Sequence, residues 1–92
     1  MRMAWIKWTD AITSAEPGWT TKEDALHTAS APLPIMYTIG YILHNDESHI
    51  ALTDSMGDDE FGQVTKIPKS MILEYDYLRR ENDEETIDIP II

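Results

Sequence analysis

The chain has no cysteine, which removes disulfides, zinc-thiolate sites and thiol catalysis together and suits a reducing compartment. It also lacks any apolar run approaching the roughly 20 residues of a membrane helix. Its opening stretch, Met1-Arg2-Met3-Ala4-Trp5-Ile6-Lys7-Trp8, has no long apolar segment after the charge, so neither a membrane span nor an export signal is expected. Positive charge is scarce, with 7 Lys and Arg against 17 Asp and Glu and a formal net charge of −10. Such a field repels phosphates, whose binding rests on several Lys or Arg contacts, and this argues against nucleic acid as a partner. Only 4 glycines occur, and none builds a phosphate-cradling loop.

What remains is a folded chain of 92 residues with a 42% apolar fraction, one domain small enough that assembly into a homo-oligomer would help bury its core. "MAWIKWTDA" alternates, with Ala4, Ile6 and Trp8 on one side and Met3, Trp5 and Lys7 on the other, as a half-buried strand does. Thr20 stands three residues before Glu23, a capping-box spacing that predicts a helix over 20–30, stopped by Pro32 and Pro34. "IMYTIGYIL" is strongly strand-like. Gly40 sits in its middle, where a sheet must bend hard or another backbone comes close. "HNDES" reads as a hairpin turn, "HIALTDSM" as the returning arm and "MGDDEFG" as an acidic loop. From Gln63 to Tyr75 the strand pattern resumes, with Pro68 as the junction between two short strands. Residues 1–78 form the domain and 79–92 an acidic tail, whose "TIDIPII" suggests an added strand at 86–92, on this sheet or on a neighbour's.

Bent strand, hairpin turn, strand, acidic loop, strand, proline junction and strand together resemble the Sm-like (Hfq-like) family of ring-forming RNA-binding proteins. Gly40 and Asp46 fall where that family has a glycine on its first bent strand and an aspartate in the following turn, while His49 stands in place of its asparagine. Pro68-Lys69-Ser70 occupies the position of the family's RNA-reading triplet; the lysine matches, but the histidine is missing and proline replaces the aromatic. The resemblance implies an all-β fold with one short helix: a small Sm-like barrel made from a strongly bent five-stranded antiparallel sheet. With "WIKWTDA", "GWTTKEDAL" and "TKIPKSMI", the whole chain is also similar to small bacteriophage-encoded proteins with such a barrel. That similarity implies an accessory protein made in the host cytoplasm.

Candidate chemistry is sparse. His44, Asp46 and His49 have a His-x-Asp-x-x-His spacing compatible with zinc, but turns collect polar residues for backbone reasons, and no metal or other cofactor is expected. Ser55, His49 and Asp54 offer a triad by residue type without the strained nucleophile elbow, so no enzymatic activity is expected. Lys66, Lys69 and Ser70, with Tyr37 and Tyr41 for stacking and Asp46 and His49 nearby, are candidates for a small anionic, nucleotide-like ligand at a subunit boundary. The competing account has the two lysines guarding an edge strand against aggregation. Asp58, Asp59, Glu60, Glu84 and Glu85 are candidates for contact with a host protein. The function expected is thus a non-enzymatic phage accessory protein that binds a host protein or a small anion. The alternatives are an Sm-like ring that binds RNA, and an acidic mimic of nucleic acid that includes Glu81 and Asp83.

Overall fold

The computed structural model describes residues 1–12, 18–80 and 89–92. The order is β1 (Met3–Thr9), α1 (Lys22–Ser30), β2 (Ile35–Asn45), β3 (His49–Thr53), β4 (Val64–Pro68), a 3-10 turn (Lys69–Met71) and β5 (Ile72–Leu78). All five strands join one antiparallel sheet in the order β4-β3-β2-β1-β5. The sheet is not closed on itself, since β4 and β5 each have one free edge. The chain is therefore mostly β with one helix, as its alternating patterns suggested. Its fifth strand is the N-terminal one, which precedes the helix and lies between β2 and β5.

Alternation determines which faces pack. Ala4, Ile6 and Trp8 of β1 point into the core with Ile50, Leu52, Ile67 and Ile72. Trp8 satisfies its indole N–H by donating to Thr38 Oγ1 at 2.9 Å. Gly40 is required because the backbone of the neighbouring strand β3 comes close to it: a Cβ there would lie 2.6 Å from the Thr53 carbonyl oxygen. Pro68 ends edge strand β4, and the 3-10 turn after it swings the chain across to β5. Proline is tolerated there because it occupies the last position of an outermost strand.

Two expectations shift. The helix is capped by Thr21, whose Oγ1 accepts from the Asp24 amide at 3.1 Å, one residue later than the Thr20–Glu23 pair. Both threonines have an acid three residues ahead, so spacing alone does not choose between them. The tail does not stay separate from the body. Ile91 is buried in the core cluster, so the boundary at residue 78 cuts off a core side chain, and residues 89–92 pack without forming a strand. The remainder of the expected added strand, 86–88, lies outside the described residues.

Helix α1 buries none of its residues. Ala31, at φ −65° and ψ 145°, leads into Pro32-Leu33-Pro34, a stiff extended connection that holds the helix away from the sheet. The molecule is consequently 57 Å long, with a radius of gyration of 17.3 Å against about 12 Å for a compact chain of this length.

Candidate binding surfaces

The β2–β3 hairpin tip is built around one carboxylate. Asp46 Oδ1 accepts from the Ser48 amide at 2.8 Å, the His49 amide at 3.0 Å and the Ser48 hydroxyl at 2.9 Å, an Asx-type turn that fixes the carboxylate plane. Its other oxygen, Oδ2, lies 2.6 Å from His44 Nε2. The His44 contact first, then these turn donors, holds the Asp46 carboxyl well below the usual carboxylate range. His49 Nδ1 is 2.8 Å from Ser48 Oγ and 3.6 Å from Asp46 Oδ1, and the two imidazoles stack with centroids 5.0 Å apart.

A β-bulge explains how the histidines meet. Alternation from Ile42, which packs against the core, would send His44 inward. The register shift between Ile42 and His44 instead sets His44 opposite Ala51, on the outer face beside His49. Asn45, opposite Ile50, faces the core side and accepts from Lys69 Nζ.

Lys69 is a structural tie. Its backbone N–H donates to the Ser48 carbonyl at 3.0 Å, and its ammonium donates to Asn45 Oδ1 and to the Ile91 carbonyl. Tyr77 adds a second tie by donating its hydroxyl to the Ile89 carbonyl at 2.5 Å. The residues proposed from sequence for a small anion thus divide. Asp46, His49, Lys69 and Ser70 gather at the hairpin end, His49 directly opposite Pro68. Tyr37 stands nine residues before Asp46 near the start of β2, opposite Lys7, and Tyr41 pairs with Thr53. Lys66 is exposed on edge strand β4, in the position expected of a residue that discourages edge-to-edge pairing.

The outer sheet face carries an apolar stripe along β2, bordered by Lys7 of β1 and by Glu74 and Asp76 of β5. Ile35, Tyr37 and Ile39 project from β2, where Tyr37 and Ile39 are 63% and 61% exposed, and Trp5 of β1 leans on Tyr37 with ring centroids 6.0 Å apart. Beside them lies a shallow cleft of about 250 Å³ reaching Thr53, Gln63 and Thr65. The acidic loop is a hairpin extension of β3 and β4: Met56 bridges Phe61, and the Gly57 amide donates to the Glu60 carbonyl at 2.7 Å. Asp58, Asp59 and Glu60 are therefore displayed, exposed, at its tip. Glu81, Asp83, Glu84 and Glu85 lie outside the described residues.

The triad by residue type is not assembled, because Ser55 Oγ donates to Asp54 while the His49 ring is engaged by Ser48. No helix among the described residues is long and apolar enough to cross a membrane. Sequence reasoning missed that the β2 stripe with Tyr37 is left exposed, because alternation does not say which side is covered, and it marked the apolar "TIDIPII" as a possible strand without showing that Ile91 enters the core. Comparison of the chain with protein-family models, with curated proteins and with solved structures returns no match.

Proposed function

We propose that this chain is a non-enzymatic accessory protein of a bacteriophage, made in the host cytoplasm, which assembles with copies of itself and binds a host protein. The observation that carries the reading is the exposed stripe of Ile35, Tyr37 and Ile39, with half-buried Trp5 beside it, on a sheet whose own helix does not cover it. Large aromatics and aliphatics left in water on one face mark an interaction surface.

The occupant of that face is a second copy. A nine-residue helix with no buried residue is marginal in water, so α1, with Leu26 and the adjacent Trp19 exposed, needs an apolar surface as much as the stripe needs a cover. The proline connection carries the helix outward, toward a neighbour. Assembled copies would then present several Asp58-Asp59-Glu60 tips to a basic surface on the host protein, where repeated weak contacts gain by linkage. The small-anion reading has less support, since the Lys69 ammonium is already bonded to Asn45 and Ile91. Kinship with the Sm-like barrel is supported by the close backbone approach at Gly40 and by the 3-10 turn that joins the two edge strands after Pro68.

Sedimentation velocity of untagged protein tests the assembly, with an oligomer expected and Tyr37→Glu shifting it toward monomer while the fold is kept. A monomer at every concentration would sink the reading. For the host contact, a basic protein captured from host lysate should be lost when Asp58, Asp59 and Glu60 are changed together to Asn, Asn and Gln. Capture that survives this change removes the acidic tip from the proposal.

A further inference from the structure

We infer that the β2–β3 hairpin tip is a binding site for a divalent transition-metal ion, held by His44 Nε2, Asp46 Oδ2 and His49 Nδ1. These three residues are the group of potential ligands whose atoms lie within 4.8 Å of one another among the described residues. In a tetrahedral zinc site with bonds of about 2.1 Å, neighbouring ligand atoms stand about 3.4 Å apart. His44 Nε2 stands 2.6 Å from Asp46 Oδ2, His49 Nδ1 lies 3.6 Å from the other oxygen of that carboxylate, and one ligand atom from each residue falls within 4.8 Å of the others, so small side-chain rotations reach that spacing. Two imidazoles and a carboxylate are a donor set that zinc, copper(II) or nickel(II) accepts, while magnesium and calcium prefer oxygen alone.

Three features prepare the site. The turn donors occupy Asp46 Oδ1, which leaves Oδ2 as a single, oriented oxygen facing His44. The bulge in β2 brings His44 to the same outer face as His49, so both rings are fixed by strand pairing rather than by loop conformation. Finally, Ser48 Oγ, 2.8 Å from His49 Nδ1, can turn aside as the ion arrives and still donate to Asp46. The nearby cation, Lys69, has its ammonium on the core side with Asn45 and does not compete. Histidine and aspartate are partly or fully exposed, so the ion would keep at least one water, making an open site. This inference stands apart from the assembly proposed above.

The probe is zinc chloride added to untagged, metal-free protein, read by titration calorimetry and by side-chain histidine NMR. One zinc per chain is expected, with the His44 and His49 resonances moving and that of His27, out on α1, unchanged. The double variant His44→Gln and His49→Gln should bind zinc at least about tenfold more weakly, whereas His27→Gln should bind as the parent does. Amide spectra of each variant show whether the fold is retained. Absence of binding by the parent, or equal binding by the folded double variant, overturns the site, the latter by assigning the zinc to carboxylates elsewhere.

Discussion

A methyl group at Gly40 would press on backbone, not on a movable side chain, since the nearest atom is the Thr53 carbonyl oxygen at 2.6 Å. Gly40→Ala should therefore lower stability by about 1–3 kcal/mol, seen as a reduced denaturant midpoint with little change in slope. This residue was legible in the sequence, because a glycine inside an otherwise β-branched and aromatic strand has few other reasons to be there. Asp46 permits a different test. Its folded carboxyl is held below the unfolded value of about 3.9, so the charged form stabilises the fold above that pH and the contribution is lost as pH falls through the folded value. Asp46→Asn should be less stable than the parent at neutral pH, and the gap in melting temperature should narrow on acidification below about pH 4. A gap that widened in acid would contradict the charge assignment.

At the scale of elements, the segment 89–92 behaves as a strap across the inner face. Ile91 is buried as a member of the core cluster, and its carbonyl is held by Lys69. Truncation by Ile91→Ala is expected to cost about 2–4 kcal/mol, and Lys69→Met to cost less but not independently. In a double-mutant cycle the two losses should fall short of additive by at least about 0.5 kcal/mol, because releasing the strap removes both interactions at once. Strict additivity would separate the lysine from the strap. None of this was readable beforehand. Period-two spacing in "TIDIPII" announces an apolar face but not the hole it fills, and the match between Ile91 and its pocket is made across long sequence separation. Strands and junctions were legible where the cause is local, as at Pro68 or in the alternation of β1. The pairing order was not, and the helix start was off by one residue because two threonines offer the same cap.

For the whole molecule, the length of 57 Å and a helix with no buried residue are the features on which the proposed assembly rests. The Tyr37→Glu variant decides this at the molecular scale, for it adds charge only to an exposed position and should change sedimentation far more than thermal stability. Small size suggests assembly from composition alone, whereas the surface proposed for it rests on which face of β2 the fold leaves exposed. The position of β1 has a last consequence. It is the first strand in sequence, yet its partners are residues 35–45 and 72–78, and Met3 pairs with Leu78, 75 positions away. During synthesis Ile6 and Trp8 wait unpaired until residues 35–45 have left the ribosome, and the other edge of β1 stays open until residues 72–78 follow, so β1 is the segment a chaperone would meet first and the one through which stalled or truncated chains would clump.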